Sequence, residues 1–114
     1  MRNPIKISGL RLEIFPEDSY LKDTWYQIFK ESQREKRFGG GWRLPTLKEL
    51  RILSDMSRKD IGYLKTGIDY WSSDEVLGGL SGVKAYWVLE LGPREWKWKS
   101  RSTEMLIARY VRTI

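Results

Sequence analysis

The side chains of this 114-residue sequence that can do chemistry are carboxylates, amines, guanidiniums, phenols and hydroxyls, because it contains neither His nor Cys. Without Cys there is no thiolate nucleophile, no disulfide framework and no thiolate-bound zinc. Without His the commonest general base and transition-metal ligand are gone, together with the side chain that changes charge near neutral pH. Hydrolysis by paired carboxylates stays open, since an acid and a base can both be carboxyl groups. Glu13, Asp69, Asp74 and Glu90 are the acids to consider. Nothing in their spacing singles out a pair, and Ser72 and Ser73 have no neighbouring base to activate them. No catalytic residue and no metal ligand is assigned, and no cofactor is expected.

Charge points to binding instead. Lys and Arg number 21 against 15 Asp and Glu, giving a net charge of +6 and a pI near 9.7. Residues 94–114 hold six of the cations (Arg94, Lys97, Lys99, Arg101, Arg109, Arg112) and only Glu95 and Glu104 as acids, so this end carries +4. In the stretch 94–101, strand alternation puts Trp96, Trp98 and Ser100 on one face and Glu95, Lys97, Lys99 and Arg101 on the other. A basic stripe of this kind suits sulfated or uronic glycans, nucleic-acid phosphates or an acidic protein surface. It also suits an edge strand that merely resists aggregation.

These groups must be held by elements that the sequence announces. A chain of this length buries roughly two thirds of the surface it exposes when unfolded, enough for one core. With 40% hydrophobic and 32% charged residues and six Trp, it is too apolar to be disordered. No internal repeat, low-complexity tract or linker is present, so a single domain spanning 1–114 is expected. Residues 5–15 alternate loosely and read as a first strand, closed by Pro16. Leu21, Trp25, Ile28, Phe29 and Ser32 form a helical stripe starting at Asp18 or Ser19, with Glu17 and Asp18 at its start and Arg34, Lys36 and Arg37 at its end. Gly39-Gly40-Gly41 ends it. Thr46 and Glu49 make a capping box for a second helix, which Pro45 introduces and Leu50, Leu53 and Met56 bury; Ser57-Arg58-Lys59-Asp60 and Gly62 read as its exit. Strands follow at 70–73, 84–91 and 96–101, the last two a hairpin turned by Gly92-Pro93-Arg94-Glu95, and a final strand covers 105–112. In 84–91, Ala85, Trp87, Leu89 and Leu91 share one face. Between Asp74 and Val83 a loop with Gly78, Gly79 and Gly82 is long enough to face a ligand.

Four blocks occur in order: 41–50 (Gly-Trp-Arg-Leu-Pro-Thr-Leu-Lys-Glu-Leu), 70–73 (Tyr-Trp-Ser-Ser), 85–88 (Ala-Tyr-Trp-Val) and 108–112 (Ala-Arg-Tyr-Val-Arg). Over residues 18–114 this series resembles the Lcl C-terminal domain family, itself similar in fold to C-type lectins and to the formylglycine-generating enzyme. The resemblance implies an α+β, C-type-lectin-like domain: two helices packed on a small, mostly antiparallel twisted sheet with long loops. Copper-dependent oxidation does not carry over without cysteines. The calcium-binding lectin triplets are also missing, and Trp71-Ser72-Ser73-Asp74 offers too few oxygens for a site needing six to eight. Tyr110 stands where many family members have a Cys.

Within that expectation Trp42, Leu44, Trp71 and Trp87 are core residues, while Arg43 is a structural guanidinium that bonds loop carbonyls or pairs with Asp74 or Glu49. Ser72 and Ser73 bridge loop backbone. The leading function is a non-catalytic module that binds a protein or glycan through the 74–83 loop and the C-terminal hairpin, using Tyr70, Asp74, Tyr86, Lys97, Lys99 and Arg101, with Tyr63 beside them. The alternative is nucleic acid or another polyanion held by Lys97, Lys99, Arg101 and Arg37, and a carboxylate hydrolase ranks last. The first residues lack the apolar stretch of a signal peptide and no run could span a membrane. A cytoplasmic protein is expected, or a secreted one if a leader has been removed.

Overall fold

A computed structural model describes residues 3–7, 11–19, 21–57, 64–91 and 96–114. The expected helix exit at 58–62, Tyr63 and the turn at 92–95 lie outside them. In chain order the elements are β1 (Ile5–Ile7), β2 (Leu12–Ile14), α1 (Trp25–Arg34), α2 (Leu47–Met56), β3 (Asp69–Glu75), β4 (Ala85–Glu90), β5 (Trp96–Arg101) and β6 (Val111–Thr113), with one 3-10 turn at Arg37–Gly39. The α+β class holds, but the strands form two antiparallel three-stranded sheets, β1-β2-β6 and β3-β4-β5, rather than one.

The expected first strand is a hairpin, with Ile5 opposite Ile14 and Ile7 opposite Leu12. The cause is legible in parity: Ile5 and Ile7 are odd, Leu12 and Ile14 even, and one strand cannot bury both sets on one face. Helix α1 begins at Trp25 and not at Asp18 or Ser19, and Leu21 is left exposed. Instead of extending the helix, the segment before it pairs with residues near the end of the chain: Ser19 N–H donates to the Ala108 carbonyl and Asp23 bridges Leu106 in both directions. The same competition confines the last strand to β6, because 106–110 hands its backbone groups to several partners. Phe15 N–H donates to Tyr110, Trp71 N–H to Ile107, and Arg43 exchanges two bonds with Val111.

Sheet β3-β4-β5 is covered on both sides. Tyr70, Leu89 and Leu91 pack with Leu50 and Leu53 of α2 and with β1, β2 and β6, while Trp71, Tyr86 and Val88 pack with Ile28 of α1, Phe15 and Trp42. Burial on both faces explains why β4 carries apolar residues at consecutive positions. The second cluster is satisfied in an economical way. The indole N–H groups of Trp25, Trp42 and Trp71 donate to the carbonyls of Ser72, Arg37 and Asp23 at 2.8, 2.8 and 3.2 Å. Each of these packed rings therefore also ties its N–H to a backbone carbonyl.

Candidate functional site

The two most distinctive sequence blocks meet at the start of α2. Thr46 accepts from the Glu49 N–H through its hydroxyl at 3.1 Å and gives its own N–H to Glu49 Oε1 at 2.8 Å, completing the capping box. Glu49 also receives Arg43 in a two-pronged pair, Nη1 to Oε1 at 2.7 Å and Nη2 to Oε2 at 2.9 Å. Burial opposes ionisation of Glu49 more than any single contact favours it, yet the Arg43 guanidinium and the Thr46 donors together hold its carboxyl below the ordinary value. From β3, the Asp74 carboxylate accepts the Leu47 N–H at 2.8 Å, placing a negative charge on the helix N-terminus. Ser72 fills the gap left where the β3–β4 register shifts: its hydroxyl donates to the Trp87 carbonyl at 2.7 Å and accepts from Asp74 N–H. Ser73 bridges through its backbone, N–H to the Pro45 carbonyl at 2.8 Å, with its side chain exposed. Arg43, Thr46, Glu49, Ser72 and Ser73 thus build one joint between α2 and β3.

Three expected ligand contacts are consumed by the same packing. Tyr70 is wholly buried, its hydroxyl accepting from Lys65 N–H at 2.9 Å and donating to Asp18 at 3.2 Å. Burial raises its phenol, and the Asp18 charge adds to this. Tyr86, 6% exposed, stacks face to face on Trp25 with centroids 3.7 Å apart, and meets Trp71 edge-on. Asp74 serves α2. None of the three faces a ligand, because β4 is covered on the side that a half-buried sheet would leave open. Trp87 departs from expectation in the other direction: Trp42, Leu44 and Trp71 are core, but Trp87 is only half-buried.

Lys97, Lys99 and Arg101 are exposed on β5, the outer strand of its sheet. Their cross-strand partners are Leu89, Trp87 and Ala85, so all six lie on one face. Lys99 places its ammonium 5.4 Å from the centre of the Trp87 ring. None of the three cations forms an ion pair with a described residue. Arg101 reaches Ser81 Oγ at 3.3 Å and so joins the stripe to the glycine loop. That loop is tightly wound. Gly78, Gly79 and Gly82 have positive φ, Leu80 and Val83 exchange backbone bonds, and Leu77 at the tip is 97% exposed. Beside it lies a shallow recess of about 250 Å³ between Glu75 and Lys84. The other cations of the C-terminal end are structural. Arg109 is buried against the Phe15 carbonyl and Asp18, and Arg112 binds the Phe38 and Gly40 carbonyls and Glu13 while covering Trp42. Arg94 lies outside the described residues.

A second concavity, of about 480 Å³, opens between residues 17–23 and α1, and five of its ten lining residues are acids: Glu17, Asp18, Asp23, Glu31 and Glu35. Among the described lining residues Arg37 is the one cation, and it crosses the rim, donating to Glu17 at 2.9 Å and to Glu35 through Nε at 2.9 Å. Arg37 is thereby committed to acids and not to a polyanion. The sequence reading missed this site because Glu17 and Asp18 were ascribed to the helix dipole. The available signal was Glu31 and Glu35 one turn apart at the end of α1, where acids oppose the dipole.

Of the four acids considered for hydrolysis, Glu13 pairs with Arg112 at 3.2 Å and Asp74 caps α2. Asp69 and Glu90 face one another across β3 and β4, and the Glu90 carboxyl is held protonated above its ordinary value because in that form it can donate to Asp69, burial and the Asp69 charge adding to the shift. Among the described residues no three acids converge as metal ligands, and no helix is long and apolar enough to cross a membrane. No protein-family model, curated protein or solved structure matches the chain.

Proposed function

We propose that this chain is a non-catalytic, C-type-lectin-like binding module that recognises an acidic protein segment or an acidic glycan through the outer face of β5 and the adjoining glycine loop. The observation that carries this reading is the row Lys97, Lys99 and Arg101: three exposed cations at alternate positions of an outer strand, unpaired with any described acid. Alternate residues of a strand stand roughly 6.5 Å apart, a spacing that extended acidic peptides and charged saccharides can match. Trp87 beneath Lys99 adds an aromatic surface suited to a sugar face or a peptide stem. The outer edge of β5 offers backbone groups to an added strand, which favours a peptide that pairs with it. The lectin-like assignment rests on the ordered motifs and on their physical joint at the start of α2.

Nucleic acid is the second reading, drawn to the same three residues by charge alone. A hydrolase is disfavoured because two of its four acids are already committed, Glu13 to Arg112 and Asp74 to the start of α2.

The deciding experiment titrates salt during binding of the protein to a glycan array, acidic peptides and random-sequence DNA, with Lys97→Glu/Lys99→Glu alongside. Selective binding to glycan or peptide that is lost in the double variant supports the proposal. Equal binding to every polyanion moves the assignment to general electrostatic capture, and binding that the variant leaves intact sinks the β5 face as the site.

A further inference from the structure

The acidic concavity beside α1 is anomalous on a chain of net charge +6, since it gathers five of the fifteen acids around one opening. Like charges brought together in this way cost free energy unless a cation compensates them. The compensation among described residues is incomplete. Arg37 holds Glu17 and Glu35, and Asp18 is held by Arg109 at 3.4 Å and Lys65 at 3.6 Å. Glu31 makes no ion pair or side-chain hydrogen bond with a described residue, and Asp23 uses one oxygen, Oδ1, to accept the Thr24 N–H at 2.8 Å.

A second, independent feature lies in the wall. Tyr110 is only 6% exposed and lines the cavity. Its ring packs edge-on against Phe15 in the core, and its hydroxyl has no hydrogen-bond partner among the described residues. A phenol so placed keeps its ring in the core and leaves its hydroxyl to the opening, free to bond a guest. Burial, with Glu31 and Glu35 adding, pushes its titration up to about 12, so it stays a neutral hydroxyl that can accept from a cationic donor. Ile28 and Leu21 supply apolar wall beside it.

We propose that this cavity binds an alkylammonium or guanidinium group on a short hydrocarbon stem, with Glu31, Asp23 and the Tyr110 hydroxyl receiving the charged head and Ile28 and Leu21 the stem. Arg37 shows the chemistry within the same molecule: a guanidinium already lies between Glu17 and Glu35, 4.8 Å over the Phe15 ring. The volume accommodates one such group with its stem, and both a free diamine and a Lys or Arg side chain of a partner have that chemistry. This site is separate from the β5 face, and each stands or falls alone.

The test is a titration of isotopically labelled protein by NMR at constant ionic strength, with cadaverine, with a terminally blocked Gly-Lys-Gly peptide, and with 1,5-pentanediol as the uncharged control. Amide shifts are expected at residues 21–35 and 110 with the two cations and not with the diol. Glu31→Gln with Asp23→Asn, which keeps an oxygen for Thr24, weakens binding by about tenfold or more, the cost of losing charge-assisted hydrogen bonds. Tyr110→Phe weakens it several-fold without lowering the unfolding midpoint, because the hydroxyl removed has no partner in the free protein. Tighter binding of the peptide than of cadaverine assigns the site to a partner side chain, and equal binding assigns it to a free amine. The proposal is overturned if the diol matches the amines, if shifts centre on β5, or if folded variants bind like wild type. Should the double variant not fold, Tyr110→Phe decides alone.

Discussion

Arg43 and Glu49 lie six positions apart and meet in a two-pronged pair at the start of α2. The pair was legible in sequence because the capping box fixes where Glu49 points and Pro45 fixes where Arg43 enters. The choice of Glu49 over Asp74 was not, since it depends on Asp74 arriving at Leu47 from β3. Glu49→Gln keeps an acceptor for Thr46 but loses the charge. We expect a loss of about 1 kcal/mol at pH 7 in denaturant unfolding, discounted for the exposure of Arg43. Because the folded carboxyl titrates below its ordinary value of 4.5, its contribution is complete above that value. It disappears as pH falls through the lowered one, so the gap between wild type and variant should close in acid.

At the scale of elements, α2 and the pairing of β4 with β5 were readable, but the start of α1 and the faces of β4 were not. Alternation in 84–91 suggests one buried side, whereas α2 covers Leu89 and α1 covers Tyr86 and Val88. A short chain gives no sign of how many layers will cover a strand. Tyr70, Tyr86 and Asp74 were therefore assigned to a ligand, while Lys97, Lys99 and Arg101, on an outer strand, kept their exposure. The pairing of β3 with β4 also sets Asp69 against Glu90. The Glu90 carboxyl titrates above its ordinary value, so stability falls as pH rises from the unfolded value of about 4.5 through the folded one. Glu90→Gln should raise the unfolding midpoint at pH 7 by about 2 °C, a gain that vanishes below about pH 4. In the loop after β3, Gly79 has φ of +66° and a Cβ there would collide with the Val83 carbonyl oxygen. Gly79→Ala should cost about 2 kcal/mol or more, read from the shift in thermal midpoint, with Gly78→Ala, which meets open space, costing less.

On the whole molecule the charges are sorted. The C-terminal end looked like one basic patch, yet Arg109 and Arg112 are committed to structural bonds, leaving Lys97, Lys99 and Arg101 on β5. The acids of 17–23 and α1 collect around a cavity of their own. Sequence distance concealed both outcomes, since Asp18 meets Arg109 across 91 positions and Glu13 meets Arg112 across 99. If polyanions bind at β5, three phosphate-like contacts predict a slope of log K against log salt near −3, falling to nearly zero in Lys97→Glu/Lys99→Glu. Glu31→Gln should leave that slope unchanged.

The segment 106–113 bonds to residues of the first hairpin, to Ser19 and Asp23, to Arg43 and to β3. During synthesis these regions leave the ribosome long before the strip of chain that joins them. The earlier parts have to wait, with Trp42 and Trp71 still in search of their final neighbours, until residue 113 emerges. Folding of this domain then waits for its last segment, and a chain stopped at Glu104 would be a substrate for chaperones and proteases rather than a smaller version of the same domain.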